Sequence, residues 1–130
     1  MGAPVQVPAI LAVVDDLLFG VKISDAAAKL GVGFRFVKTA EAAWAGALAA
    51  PALVILDLNI RTLNPLELVT RLKGDPGTAG IPVVAYVSHV QVEFRKKAEE
   101  AGCDRVLARS TFSTSVPALL AEFTRAKAEA

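Results

Sequence analysis

Acids stand at the ends of two strongly apolar runs. Ala9-Ile10-Leu11-Ala12-Val13-Val14 ends in Asp15-Asp16, and Ala52-Leu53-Val54-Ile55-Leu56 ends in Asp57. Two further runs end in other polar groups: Val83-Val84-Ala85-Tyr86-Val87 in Ser88, and Arg105-Val106-Leu107-Ala108 in Arg109. If these runs are strands of one parallel sheet, their carboxyl ends open into a common crevice. Three carboxylates in that crevice repel one another and raise one another's pKa unless a cation lies among them. A hard divalent ion with oxygen ligands, Mg²⁺ above all, answers that need. A hydroxyl and a fixed cation nearby complete a site for a phosphoryl group, whose oxygens take positive charge and hydrogen-bond donors. Taken singly, Asp16 or Asp57 can also be read as a helix cap. The four strand ends together point to the phosphoryl site.

The elements that must position these residues follow from period and punctuation. Continuous apolar runs suit strands buried on both faces of a parallel sheet. After the first, Phe19, Ile23, Ala26/Ala27 and Leu30 recur at helical spacing, and Gly31 supplies a stop, which predicts a helix from Leu17 to Leu30. Phe34-Arg35-Phe36-Val37 alternates as a second strand. Thr39 caps a helix whose inner stripe is Ala40, Ala43/Trp44 and Ala47/Leu48, closed by Pro51. Asn64 as cap, Pro65 at the first helical position and Glu67 at the third mark the next helix, and residues 73–80 read as a loop. A fourth helix turns Val90, Phe94, Ala98 and Ala101 inward and stops at Gly102. The last, with Pro117 in its first turn, buries Val116, Leu119/Leu120 and Phe123. Five β-α units in succession imply a parallel sheet covered on both faces, with right-handed crossovers.

Composition narrows the function classes. The 130 residues fit one domain, expected over 1–130 with its core at about 9–124, and at 54% apolar the chain is not disordered. A net charge of +1 with interspersed signs gives no nucleic-acid footprint. The one basic cluster, Arg95-Lys96-Lys97, lies within helical pairing distance of Glu99 and Glu100 and reads as a solvated face. Cys103 has no partner for a disulfide and no companions for zinc, and reads as a small core or boundary residue. The start has no basic region of a signal peptide, position 6 is not the Ser or Thr of a myristoylation signal, and no apolar run is long enough to span a membrane. A cytoplasmic protein without membrane or nucleic-acid partners is the expectation. No phosphate-binding Gly loop follows the first strand, Gly31-Val32-Gly33 falls between a helix and a strand, and no Ser/His/Asp set appears, which argues against an enzyme acting on a small substrate.

The set of motifs resembles the receiver domain of response regulators in two-component signalling, as an atypical stand-alone member. Val13-Val14-Asp15-Asp16 is similar to that family's first-strand acidic pair and Ile55-Leu56-Asp57-Leu58-Asn59 to its phospho-acceptor strand. Asp75-Pro76 with Ile81-Pro82-Val83-Val84 and Ala101-Gly102-Cys103-Asp104 resemble the approaches to its fourth and fifth strands. The resemblance runs from about Ala9 to Phe123 and implies the flavodoxin-like (βα)5 fold, a five-stranded parallel sheet with helices on both faces. It further implies that Asp57 accepts a phosphoryl group from a sensor histidine kinase or phosphotransfer protein. Asp16, Asp57 and the Asn59 carbonyl would hold Mg²⁺, with Asp15 acting through water, and Ser88 would bond the phosphoryl oxygens. Output would pass through the face from the fourth to the fifth helix, to a partner or a second copy, with Val92, Arg95, Lys96 and Glu99 as contacts.

Four positions depart from the family's pattern. Arg109-Ser110 stands where a Lys-Pro pair is usual, and a guanidinium fork is not a neutral replacement for an ammonium. His89 follows Ser88 where a small residue is usual; it reads as a partly exposed loop histidine, or as a group restricting access or moving a proton. Val106 replaces an aromatic, with Tyr86 in the neighbouring strand. The loop from Asn59 to Pro65 carries Arg61, which is placed to pair with Asp57. Two readings follow: a phosphorylated receiver, or a pseudo-receiver that binds or dimerises constitutively.

Overall fold

A run that is apolar at every position can only be a strand if helices cover both sides of its sheet. A computed structural model of the protein describes residues 9–88 and 92–129, with side chains through residue 125. Its elements alternate strictly: β1 (Ile10–Val13), α1 (Leu17–Leu30), β2 (Phe34–Val37), α2 (Ala40–Leu48), β3 (Leu53–Asp57), α3 (Pro65–Gly74), β4 (Val83–Val87), α4 (Val92–Ala101), β5 (Arg105–Ala108) and α5 (Arg109–Glu129). All strand pairs are parallel, in the order β2-β1-β3-β4-β5. This is the expected flavodoxin-like (βα)5 architecture.

Alternation along the strands divides the core into two layers. Leu11, Val13, Val54, Leu56, Val83, Ala85 and Val106 pack with Ala43, Leu68, Val69, Leu72 and Ala98 of α2, α3 and α4. Ile10, Ala12, Leu53, Ile55, Val84 and Tyr86 pack with Phe19, Ile23, Phe112, Val116 and Leu120 of α1 and α5. Cys103 is a buried member of the first layer. Arg95 and Glu99 form the expected intrahelical pair at 3.5 Å on the exposed side of α4.

Local chemistry sets the helix ends. The Asp16 carboxylate caps α1, and Gly31, at φ 71°, ends it in the left-handed region that favours glycine. Asn64 Oδ1 accepts from the Glu67 amide at 3.1 Å, with Pro65 inside the first turn of α3. Several sequence expectations need correction. Leu30, Ala40 and Leu48 are exposed, because each is an end residue of its helix, where contact with the sheet runs out. Lys73 and Gly74 belong to α3 and not to the loop after it. Pro117 lies inside α5, which starts at Arg109. Val90 lies outside the described residues, whereas Ala98 is buried and Phe94 and Ala101 partly so. Among the described residues no helix is long and apolar enough to cross a membrane.

Candidate functional site at the carboxyl ends of β1 and β3

The chain begins in the sheet at β1, steps outward to β2, and then crosses to β3 on the other side of β1. Connections leaving β1 and β3 therefore diverge, and a crevice opens above their carboxyl ends. Asp57 is the last residue of β3 and is only 9% exposed. Alternation puts it on the same side as Ile55, and its register partner in β4 is Tyr86. Its Oδ1 accepts the Asn59 amide at 2.8 Å. Burial pushes the Asp57 carboxyl above its usual range; the Asn59 hydrogen bond and the Arg109 charge oppose that rise, while Asp16 and Asp15 add to it.

Each flanking acid is engaged by a base. Asp16 Oδ1 accepts from the amides of Leu18 at 2.9 Å and Phe19 at 3.4 Å, so it does cap α1. Its Oδ2 accepts from Nη2 of Arg109, the first residue of α5. The Arg109 guanidinium also lies over the Phe19 ring, 4.7 Å from its centre. Asp15 Oδ1 lies 3.4 Å from Lys38 Nζ. Asn59 Oδ1 accepts the Ser88 amide at 2.8 Å, which ties the loop after β3 to the end of β4. Among the described residues, no three acidic, histidine or cysteine side chains are gathered at metal-ligand spacing. Sequence reasoning assigned the neutralisation of the acids to a divalent ion; the fold also supplies basic side chains for it. Asp15, Asp16, Asp57 and the Asn59 carbonyl remain hard oxygen donors of the kind Mg²⁺ takes, so the donor chemistry fits.

No family model matches this sequence, and no curated protein does. Solved structures match it well. The phosphorylated cyanobacterial phytochrome response regulator RcpA aligns over 88% of this chain and 92% of its own, at 20% identity and a TM-score of 0.77. This chain has the response-regulator receiver fold. The receiver domain of a sensor histidine kinase from Pseudomonas aeruginosa PAO1, solved with magnesium coordinated in its active-site cleft, aligns over 88% of this chain and 94% of its own, at 17% identity and a TM-score of 0.74. An orphan response regulator of H. pylori aligns over 94% and 98%, at 20% identity and a TM-score of 0.71.

Within the receiver fold, the four departures separate. Val106 is buried against α4, whereas Tyr86 points to the opposite face of the sheet, so Tyr86 does not fill the place of the missing aromatic. It stacks instead between Phe19, at 4.8 Å, and Phe112, at 4.6 Å. The Tyr86 hydroxyl is buried without a hydrogen-bond partner among the described residues, and burial, with the Asp57 charge next, drives its pKa sharply upward. Arg61 is exposed, and no ion pair among the described residues joins it to Asp57; Arg109 is the cation whose charge acts on that carboxylate. His89 lies outside the described residues. Lys38 was missed from sequence, although it immediately follows β2, and the strand-end rule extended to that edge strand would have found it. Phe112 was missed because the start of α5 was placed too late.

Proposed function

We propose that this protein is a receiver-type signalling module in which Asp57 accepts a phosphoryl group. The observation that carries the proposal is a buried carboxylate at the end of the central strand, with Asp16 and Ser88 following the two strands beside it, Asn59 in its own loop, and Arg109 reaching Asp16 from the end of β5. Because Oδ1 is held by the Asn59 amide, Oδ2 is the oxygen left for attack. In the reaction, Oδ2 forms a bond to the phosphorus of a donor phosphohistidine, the phosphorus–nitrogen bond breaks, and the freed imidazole takes up a proton. A carboxylate raised by burial is more basic and hence the better nucleophile. Asp16, Asp57 and the Asn59 carbonyl, with Asp15 through water, would hold Mg²⁺, which supplies charge neutralisation between the acids and the phosphoryl oxygens. Ser88, exposed at the end of β4, would donate its hydroxyl to those oxygens, and Arg109 would supply fixed charge.

The donor is a sensor histidine kinase or a phosphotransfer protein. Leu17 and Val21 of α1 are exposed beside the acids and, with Phe36, wall a groove of about 340 Å³ against which such a protein would seat. Output passes to a partner or a second copy through the face from α4 to α5, where Val92, Arg95, Lys96 and Glu99 are exposed. The basic partners already on Asp15 and Asp16 favour a second reading, a pseudo-receiver that binds constitutively. Incubation with Mg²⁺ and acetyl phosphate separates the two. The expected result is a mass gain of one phosphoryl group, lost in Asp57→Asn; no gain in the wild-type chain establishes the second reading.

A further inference from the structure

We infer that Arg109 is a resident competitor for the divalent cation, and that an ion entering the site must take Asp16 from it. The inference rests on the receiver reading and specifies how its metal site is regulated. Both oxygens of Asp16 are in use: Oδ1 closes the amide end of α1, and Oδ2 is bonded to Arg109. Oδ1 cannot be released without uncapping α1, so Oδ2 is the oxygen an ion would claim.

Arg109 is not a loosely tethered surface base. Its guanidinium rests on Phe19, Phe19 stacks on Tyr86, and Tyr86 stacks on Phe112, which lies three residues along the same helix as Arg109. The fork is therefore aimed at Asp16 from both ends, by its backbone and by the aromatic shelf beneath it. Arg109 also begins α5, where the helix dipole disfavours positive charge. Pairing with Asp16 is what makes the guanidinium acceptable there, and an ion that takes Asp16 leaves that charge uncompensated. The side chains of Arg109 and Asp16 are 40% and 24% exposed, so a small hydrated ion can reach the pair. Lys38 on Asp15 is a weaker barrier, with its side chain 64% exposed and its ammonium 3.4 Å away. An ammonium at position 109 would lack both the planar fork and the flat contact with Phe19. The arginine substitution thus raises the cation concentration the site requires.

The test is a titration of the full chain with Mn²⁺ and with Mg²⁺ alone, without any phosphodonor. In Arg109→Gln both ions should bind roughly tenfold more tightly than in the wild type, equivalent to about 1.4 kcal/mol. Asp16→Asn, or Asp57→Asn in the Arg109→Gln background, should abolish that gain. The wild-type chain supplies an independent readout if a variant folds poorly. On adding Mg²⁺, the Arg109 side-chain Nε–H resonance should move and exchange faster with water as the fork is released. Equal affinities in wild type and Arg109→Gln, an unmoved Arg109 resonance while the ion binds, or no binding by either chain would each overturn the inference. Tighter binding in Arg109→Gln without phosphoryl transfer in either chain sinks the phosphorylation proposal and leaves this one standing. Phosphoryl transfer with unchanged affinities does the reverse.

Discussion

Asp57 is held where its charge is disfavoured, and that has a measurable signature. Burial raises its folded-state pKa above the ordinary value of 3.8, so the folded chain binds the proton more tightly than the unfolded chain does. The stability this contributes is fully present below the unfolded pKa and is lost as pH rises through the folded pKa. At neutral pH the ionised carboxylate is therefore a burden on the fold. Asp57→Asn keeps an oxygen for the Asn59 amide and carries no charge. We expect it to melt a few degrees above the wild type at neutral pH, with the difference vanishing near pH 3.8. A difference independent of pH, followed by thermal unfolding across that range, would assign the effect to something other than ionisation. Of the neighbouring departures, Arg109 reaches Asp16, whereas Arg61 is exposed and makes no ion pair among the described residues.

At the scale of the element, α5 is the helix whose start was misread. The sequence pattern places Pro117 in the first turn of this helix. In the fold the helix begins at Arg109, well ahead of Pro117, because Arg109 and Phe112 are drawn onto α1 and the sheet. Pro117 is then an interior proline without an amide hydrogen for the Ser113 carbonyl, and its ring is exposed. Replacing it removes no packing. Pro117→Ala is expected to stabilise the protein by up to about 3 kcal/mol, read by urea denaturation. A loss of stability would instead put Pro117 at a helix start. The caps at Thr39 and Asn64 were legible from sequence because each acts on a residue three positions away.

For the whole molecule, strand order determines where stability and chemistry lie. β3 is paired on both sides and buried along its full length, as is β4, whereas β2 is an edge strand with Phe34, Arg35 and Phe36 exposed. Hydrogen exchange followed by NMR should find the slowest amides in Leu53–Asp57 and Val83–Val87 and markedly faster ones in Phe34–Val37. Protection of β2 equal to that of β3 would mean that a second chain covers this edge. The two-layer core explains why Tyr86 and Val106, on neighbouring strands, do not substitute for one another. They lie on opposite faces of the sheet, and Tyr86 belongs with Phe19 and Phe112.

The sequence by itself determined the alternation of strands and helices, the acids, hydroxyl and arginine at the strand ends, and the caps at Thr39 and Asn64. Those features depend on periods of two and 3.6 residues and on contacts within a single turn, all of which are written locally. Tertiary structure alone decided which base meets which acid. Arg109 finds Asp16 across 93 positions of sequence, and Lys38 finds Asp15 because β2 lies beside β1. Such pairings depend on strand order and register, which no local pattern encodes, and they set protein-borne positive charge against both acids that flank Asp57.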